Sequence, residues 1–298
     1  MSLLRRQLSQ LRPSVARRPR TTQSPRNPAQ HPFSTSATAT MKVRSLEMQP
    51  DETQNYCYVL TDDASKKSWV IDPAFPKWVL ADVEKLNKSG DIDLAAIVNT
   101  HHHWDHSGGN EDFKQSFSKL PIIAGKDSPD VTKTPAHGEQ LTLGDNLKIT
   151  ALHTPCHTQD SICYFVEDTK TGERAVFTGD TLFIAGCGRF FEGTPEEMNV
   201  ALNDILAKLP DDTVVYPGHE YTKSNVKFVK TILPNNEAVN KLDHFCQNNK
   251  ITTGVFTIGD EKKHNPFMMV NDPAVEEVCG STDPVKVMEV LRERKNKL

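Results

Sequence analysis

The 298-residue chain lacks features that would assign it to several classes of protein. It has no run of about 18 apolar residues, the length that a helix needs to span a bilayer, so we expect no membrane segment. Its six cysteines include no C-x-x-C pair and follow no compact spacing. A disulfide framework is therefore not expected in a chain of this size, and we predict free thiols.

Acidic residues are missing from the start of the chain, where the first carboxylate is that of Glu47. Residues 1–40 contain seven arginines and many Ser, Thr and Pro, a composition typical of a mitochondrial transit peptide. We therefore expect residues 1–40 to be a disordered transit segment and the mature protein to reside in the mitochondrial matrix. The alternative is a basic tail without a targeting role. Initiation at Met41 would yield a cytosolic form.

Acidic residues outnumber basic ones in the remainder of the chain. The whole chain has a net charge of −4, and removing the seven arginines of residues 1–40 leaves −11 on the rest. Nucleic-acid binding depends on Lys and Arg side chains that neutralise phosphates. We therefore expect no nucleic-acid partner, and an anionic small molecule would need a local basic patch.

The densest group of metal-binding side chains is the stretch THHHWDHSGGN at residues 100–110. Residues two apart in an extended segment point the same way, so His101 and His103 can bind one ion. Asp105 and His106 follow at a position where they can serve a second ion. His102 alternates away from its neighbours and is not expected to be a ligand. A solvated, His-rich loop is the alternative, but the pattern H-x-H-x-D-H favours a pair of metal ions.

Four short apolar runs each lead into a motif that contains His or Asp, with Gly or Pro within a few residues. The runs are LAAIVN at 94–99, LKITALH at 147–153, AVF at 175–177 and TVVY at 213–216, and the motifs that follow are THHHWDH, TPCHT, TGDT and PGHE. Functional loops commonly lie on a rigid sheet in this way. We therefore expect these strand ends to supply the further metal ligands that one loop cannot.

Helical signals alternate with these strands. Apolar residues at helical spacing predict a helix from Pro76 to Gly90, and a capping box of Thr194 and Glu197 predicts another that continues to Pro210. Beyond Glu220 the apolar residues recur at helical intervals, with few strand signals. The pattern indicates sheets covered by helices, followed by a helical region.

The chain resembles the metallo-β-lactamase fold superfamily and, within it, the glyoxalase II (hydroxyacylglutathione hydrolase) family. The resemblance covers about residues 41–298, and the motifs that carry it are THHHWDHSGGN at 100–110, TPCHT at 154–158, GDTLFIAGCGRFFEGT at 179–194, PGHEYT at 217–222, NPFM at 265–268 and TDPVKVM at 282–288. It implies an α/β (α+β) fold, an αββα sandwich with a small C-terminal helical domain. The catalytic domain would comprise residues 41–220 and the helical substrate-binding domain residues 221–298.

The resemblance also implies a dinuclear metal centre with seven protein ligands. His101, His103 and His157 would hold one ion, Asp105, His106 and His219 would hold the second, and Asp180 would bridge the two. We expect two zinc ions, although His and Asp donors also accept iron or manganese. The implied nucleophile is a metal-bound hydroxide, formed from water, and Asp105 would orient it and accept the proton.

Five further residues would contact the substrate according to the resemblance: Arg189, Phe191, Tyr221, Arg292 and Lys295. Arg189 stands where the family usually has Lys, and Phe191 stands where many members have Tyr. Arg292 and Lys295 are three apart and share a helix face, from which they would bind a glutathione carboxylate. Without the resemblance, charged residues this close to a C-terminus favour a solvated, frayed helix end.

The implied function is that of a monomeric, metal-dependent thioester hydrolase. It would convert S-(2-hydroxyacyl)glutathione, chiefly S-D-lactoylglutathione, to D-lactate and glutathione, a step of methylglyoxal detoxification. The alternatives are the related iron-dependent glutathione persulfide dioxygenase, a β-lactamase or nuclease, and a catalytically silent metal-binding protein. The GRFFEGT loop, the HEYT motif and the helical tail with NPFM favour the thioesterase.

Overall fold

Two five-stranded sheets form the centre of the molecule in the computed structural model, which describes residues 40–49 and 51–298. The predicted transit segment therefore lies, except for Thr40, outside the described residues. The first sheet has the order β1-β2-β3-β4-β5, with strands β1 (Met41–Met48), β2 (Asn55–Asp62), β3 (Lys67–Ile71), β4 (Asp93–Val98) and β5 (Ile122–Ile123). The second has the order β12-β9-β8-β7-β6, with strands β6 (Gln140–Leu143), β7 (Leu147–His153), β8 (Ile162–Asp168), β9 (Arg174–Gly179) and β12 (Val214–Pro217). A small hairpin of β10 (Leu182–Phe183) and β11 (Gly186–Cys187) follows β9.

The two sheets pack face to face through one apolar core. Alternate residues of a strand point to opposite faces, so Tyr56, Tyr58 and Leu60 of β2 enter the space between the sheets, where Tyr164 of β8 and Phe177 of β9 meet them. All eight residues of β2 are buried. Such uniform burial arises when both faces of a sheet are covered, which explains why this strand lacks the apolar–polar alternation of an exposed sheet.

Helices cover the outer face of each sheet. On the first sheet, Val79 and Val83 of α1 (Pro76–Ser89) pack with Val59 and Ile97. On the second, Met198 of α4 (Pro195–Asn199) belongs to a core that includes Val176 of β9. Two short helices, α2 (Trp104–Ser107) and α3 (Asn110–Ser116), follow β4. The layers confirm the predicted αββα sandwich.

Helices dominate the chain after the last strand. They are α5 (Thr222–Ile232), α6 (Glu237–Asn248), α7 (Ile258–His264), a 3₁₀ turn (Pro266–Met268), α8 (Pro273–Cys279) and α9 (Pro284–Asn296). Their apolar faces extend the core on the outer side of the second sheet, where Val226, Leu242 and Leu291 are all buried. Within the described residues, no helix is both long and apolar enough to cross a membrane.

The structure corrects one predicted helix. The capping box of Thr194 and Glu197 is present, but the α-helix that it starts ends at Asn199. A π-helical stretch (Val200–Ile205) and a 3₁₀ turn (Leu206–Lys208) continue the path. In this stretch Asn203 donates to the Phe267 carbonyl at 3.0 Å. This tertiary contact accompanies the widened turn, and apolar spacing along the sequence does not reveal it.

Candidate metal centre

The carboxyl ends of strands from both sheets meet at one edge of the sandwich. Strands β9 and β12 are parallel neighbours, so Asp180 and His219, which follow them, lie side by side. The Gly218 N–H donates to the Gly179 carbonyl at 2.9 Å and holds the two strand ends together. Strand β4 delivers the loop that begins at His101 to the same place.

Three imidazoles converge on the first candidate ion position. Nδ1 of His103 lies 3.1 Å from Nε2 of His101 and 3.1 Å from Nε2 of His157. The outward nitrogen of His101 lies 3.1 Å from Thr100 Oγ1, and His157 Nδ1 donates to the Arg189 carbonyl at 2.9 Å. Because the outward nitrogen of His157 carries the proton, its inward nitrogen presents a lone pair, as a metal ligand requires.

Burial favours the neutral form of these three imidazoles. It lowers the pKa of His101 well below its ordinary value, and the neighbouring His106 acts in the same direction. Burial also lowers the pKa of His103 and of His157. A neutral imidazole is the form that binds a metal ion.

A second group contains Asp105, His106 and His219. Their inward atoms lie close together, with 3.2 Å between the two Nε2 atoms and 3.6 Å from His219 Nε2 to Asp105 Oδ2. The outward nitrogens are again occupied: His106 Nδ1 lies 2.9 Å from Asp72 Oδ2, and His219 Nδ1 donates to the Thr53 carbonyl at 2.7 Å. The helical turn of α2 places Asp105 and His106 here, one turn beyond His103.

Asp180 lies between the two groups. Its Oδ1 is 3.2 Å from His106 Nε2 and 3.3 Å from His219 Nε2, and its Oδ2 is 3.5 Å from His157 Nε2. Burial opposes ionisation of Asp180, but His219 and His106 hold its pKa well below the usual range. Oδ1 is buried and accepts no hydrogen bond among the described residues. A buried carboxylate oxygen without a hydrogen bond, surrounded by imidazole nitrogens, fits a bound cation.

His102 points away from both groups, as the sequence predicts. Its Nδ1 lies 2.8 Å from Oδ1 of the buried Asp160. Its Nε2 faces Glu192 at 3.4 Å. His102 thus connects the histidine loop to the segment that carries Phe191.

Two residues that support the candidate ligands, Asp72 and Asp160, were not predicted from the sequence. Asp72 follows β3 directly, and its carboxylate also accepts the Thr100 N–H at 2.7 Å. Asp160 lies four residues after Cys156 and binds His102. A polar residue at a strand end is the signal that singled out Asp180, and the same signal applies to Asp72.

One cavity of about 870 Å³ joins the metal centre to the five predicted substrate residues. The candidate ligands that line it are His103, Asp105, His157, Asp180 and His219. Arg189, Phe191, Tyr221, Arg292 and Lys295 line the remainder together with Asn225 and Lys227. The structure therefore brings all five predicted substrate residues together beside the ligands.

The substrate residues differ in how firmly they are held. The Tyr221 ring stacks on the His219 ring with centroids 4.5 Å apart, which fixes it beside the metal centre. Phe191 is 61% exposed, with its ring 5.2 Å from that of His157. Arg189 is exposed at the cavity wall.

Arg292 does not lie at a solvated helix end, which the sequence alone favoured. Its side chain is 6% exposed, and Nη1 donates to the Cys187 carbonyl at 3.1 Å. Lys295 is half-buried and donates to Asn225 Oδ1. The physical reason is that α9 packs its apolar residues into the core, which draws both cations into the cavity wall.

Known proteins resemble the chain along its described length. Residues 50–219 match the model of the metallo-β-lactamase superfamily, and residues 220–298 match that of the hydroxyacylglutathione hydrolase C-terminus. The probable hydroxyacylglutathione hydrolase glo2 of Schizosaccharomyces pombe is 53% identical over 81% of this chain and 93% of its own length. The cytoplasmic isozyme of hydroxyacylglutathione hydrolase from Saccharomyces cerevisiae is 48% identical over 87% of this chain and 100% of its own length. The mitochondrial hydroxyacylglutathione hydrolase of the same yeast is 43% identical over 86% of this chain and 97% of its own length.

Among solved structures, ETHE1 from Myxococcus xanthus superposes with a TM-score of 0.59 at 26% identity, over 84% of this chain and 90% of that one. This similarity is much weaker in sequence than that to the yeast hydrolases. The two family models together span residues 50–298, and the relatives are covered almost completely. The chain therefore belongs to the hydroxyacylglutathione hydrolase family of the metallo-β-lactamase superfamily.

Proposed function

We propose that this protein hydrolyses S-(2-hydroxyacyl)glutathione thioesters, chiefly S-D-lactoylglutathione to D-lactate and glutathione, in the detoxification of methylglyoxal. The observation that carries the proposal is one cavity that is lined both by convergent His and Asp donors and by Arg292 and Lys295. A glutathione thioester has the matching groups, an acyl carbonyl for the metal ions and carboxylates for the two cations. Family membership supports the same reaction.

We propose that His101, His103 and His157 bind one metal ion, that Asp105, His106 and His219 bind a second, and that Asp180 bridges them. Zinc is the metal that we expect at both positions, although iron and manganese accept the same donors. When bound, the ions supply Lewis acidity, which lowers the pKa of water and polarises the thioester carbonyl.

Asp105 is the proposed catalytic carboxylate. Asn55 holds it in place, since its amide donates to the Asp105 backbone carbonyl at 2.9 Å. The Asp105 side chain is 20% exposed and lines the cavity, so it can orient the attacking water and accept its proton. The leaving thiolate needs no strong acid, because a thiol has a pKa of about 8.5.

Substrate binding is assigned to the basic part of the cavity. Arg292 and Lys295 would pair with a glutathione carboxylate, Arg189 would add positive charge at the exposed wall, and Tyr221 and Phe191 would flank the substrate beside the metal centre. A guanidinium in place of the family's usual Lys at 189 keeps the charge and changes its geometry. Residues 41–220 would thus supply the catalytic domain and residues 221–298 a helical substrate-binding domain.

We further propose that the protein acts as a monomer in the mitochondrial matrix, without nucleic-acid or membrane partners. The acid-free, Arg-rich residues 1–40 support a transit peptide, and initiation at Met41 would give a cytosolic form. Both a mitochondrial and a cytoplasmic hydroxyacylglutathione hydrolase occur among the yeast relatives.

The test is an assay of the purified protein with S-D-lactoylglutathione, combined with measurement of bound metals. We expect two ions per chain, loss of hydrolysis on chelation and recovery on addition of zinc. The alternative, an iron-dependent glutathione persulfide dioxygenase, predicts oxygen consumption with glutathione persulfide and a single iron. A protein with two bound ions and no thioester hydrolysis would contradict the proposal.

A further inference from the structure

Residues 184–189, which we call the cradle segment, start at the turn of the β10–β11 hairpin and end beside the metal centre. Ile184, Ala185 and Cys187 are almost completely buried. Ala185 has φ +59°, in the left-handed region that disfavours a residue with a Cβ. Backbone of this kind persists only where its surroundings hold it, and buried N–H and C=O groups need partners.

Those partners are side chains of the C-terminal helical region. They bind four consecutive residues of the cradle segment: Asn225 Nδ2 donates to the Ile184 carbonyl (2.9 Å), Glu261 Oε2 accepts the Ala185 N–H (2.9 Å), Asn265 Nδ2 donates to the Gly186 carbonyl (3.1 Å) and Arg292 Nη1 donates to the Cys187 carbonyl (3.1 Å). Each of the four residues thus has one backbone group bound by a different side chain.

Glu261 is the centre of this arrangement. Its carboxylate is completely buried. Besides the Ala185 N–H, it meets His264 Nε2 at 2.7 Å and the Asn265 amide at 2.9 Å. A buried carboxylate is costly unless hydrogen bonds compensate it, and here one of those bonds goes to the strained residue of the cradle segment.

The other end of the cradle segment touches the candidate ligands. The Arg189 carbonyl accepts the hydrogen bond from His157 Nδ1 at 2.9 Å. A Cβ on Gly188 would lie 2.1 Å from the Asp180 carbonyl oxygen and 2.7 Å from His157 Nδ1, so the backbone here fits closely against both ligands. A displacement of residues 184–186 would therefore reach His157 through two or three peptide units.

We propose that Glu261 and Asn265 are positioning residues for the metal centre: by fixing the backbone of residues 184–186, they hold the Arg189 carbonyl where it orients His157. This role rests on the proposed assignment of His157 as a metal ligand. Partners that orient a ligating His commonly alter metal affinity by roughly 10–100-fold when they are removed. Glu261 and Asn265 do not touch His157 themselves, and they act on it through the backbone of residues 184–189.

The test measures metal affinity rather than turnover alone. In Glu261→Ala, we expect weaker binding of the zinc ion that His101, His103 and His157 hold. Its dissociation constant, measured by competition with a chromogenic chelator, should rise by roughly tenfold. The affinity for the other ion, which Asp105, His106 and His219 hold, should stay unchanged. We also expect kcat to fall with little change in KM. Glu261→Gln should restore the affinity, because its amide oxygen can accept the Ala185 N–H.

Asn265→Ser provides a second variant if Glu261→Ala does not fold. The serine hydroxyl can still cap the turn at Phe267, which Asn265 Oδ1 does now, but it is too short to reach the Gly186 carbonyl. Asn265→Ser should therefore weaken binding of the same zinc ion, the one that His157 holds. Asp272→Ala is the matched control, since it removes the helix cap at Ala274 in the same region without touching the cradle segment.

Wild-type affinity for both ions in folded Glu261→Ala and Asn265→Ser would overturn the proposal. So would an equal loss of affinity in Asp272→Ala at a similar loss of unfolding free energy, because the effect would then be one of general stability. The binding measurement needs no substrate. Failure of the wild-type protein to hydrolyse thioesters would thus contradict the proposed function and leave this test intact.

Discussion

The carboxylate of Asp72 lies 2.9 Å from Nδ1 of His106, and both side chains are at most 3% exposed. The same carboxylate accepts hydrogen bonds from the N–H and the hydroxyl of Thr100, each at 2.7 Å. Asp72 thus fixes the orientation of one candidate ligand and the start of the loop that carries the others. It supports the candidate metal centre from the end of β3 in the first sheet, as the cradle segment does from the small β10–β11 hairpin.

We therefore expect Asp72→Ala to lower the affinity for the ion that His106 holds by roughly 10–100-fold, the range seen when the partner of a ligating His is removed. Chelator competition would measure this change. Asp168→Ala is a suitable control, because Asp168 is equally buried but accepts hydrogen bonds from Thr40 and Lys170, away from the cavity. Equal affinities in Asp72→Ala and wild type would contradict the orienting role.

Asp180→Ala should lose both metal ions and turnover, because this side chain reaches both ligand groups and its Oδ1 has no other hydrogen bond among the described residues. Elemental analysis of the purified variant gives the metal content per chain. Asp168→Ala, assayed beside it, should retain both ions. Retained turnover in Asp180→Ala would refute the bridging role.

The pH dependence of kcat/KM should follow the ionisation of the Lys295 amine. Burial, and then the charge of Arg292, lowers the pKa of this amine to about 8; Arg189 acts in the same direction and Cys187 opposes it. Below pH 8 the ammonium attracts a substrate carboxylate, and above pH 8 the neutral amine does not. We expect kcat/KM to fall by up to about fivefold between pH 8 and pH 9, because the charged fraction of Lys295 falls by about that factor. The value of kcat should change less, because a bound carboxylate raises the pKa of Lys295.

Lys295→Arg is the control for this prediction, since a guanidinium stays charged throughout that range. Its profile should stay flat where the wild-type profile falls. A fall of the same size at the same pH in both proteins would assign the titration to another group.

The capping box at the start of α4 offers a test of stability alone. The Thr194 hydroxyl accepts the Glu197 N–H at 3.3 Å, and the Glu197 carboxylate accepts the Thr194 N–H at 2.8 Å. Loss of an N-cap hydroxyl costs about 1 kcal/mol, so Thr194→Ala should lower the free energy of unfolding by that amount in urea titrations. The exposed Thr282 serves as a control, and Thr282→Ala should change stability by less than about 0.5 kcal/mol. An unchanged urea midpoint in Thr194→Ala would mean that this cap contributes nothing to the free energy of unfolding.

The sequence predicts those features that depend on local pattern. Strand β7 begins at Leu147 and ends at His153 as expected, because an apolar run between polar turns delimits it. Gly90 ends α1 in the left-handed conformation that favours glycine. The seven candidate ligands are implied by the family resemblance, whose short motifs lie at the ends of strands.

Features that depend on long-range contacts could not be predicted in this way. The burial of Arg292 arises from the packing of α9, and its local sequence resembles an exposed helix end. Glu261 lies in a polar stretch, and only the fold brings its carboxylate to Ala185, 76 positions earlier in the chain. The π-helical turn after Asn199 likewise follows a periodicity that indicates an ordinary helix.

Five of the six cysteines are buried and the sixth is half-buried, and none forms a disulfide. Burial raises the pKa of the Cys187 thiol to about 11, and burial does the same for Cys163 and Cys246. Cys187 also lines the cavity in which the proposed reaction releases glutathione. A mixed disulfide with glutathione forms when a protein thiolate attacks glutathione disulfide and displaces glutathione. Burial, by disfavouring the thiolate, thus protects these cysteines from exchange with the oxidised form of the product.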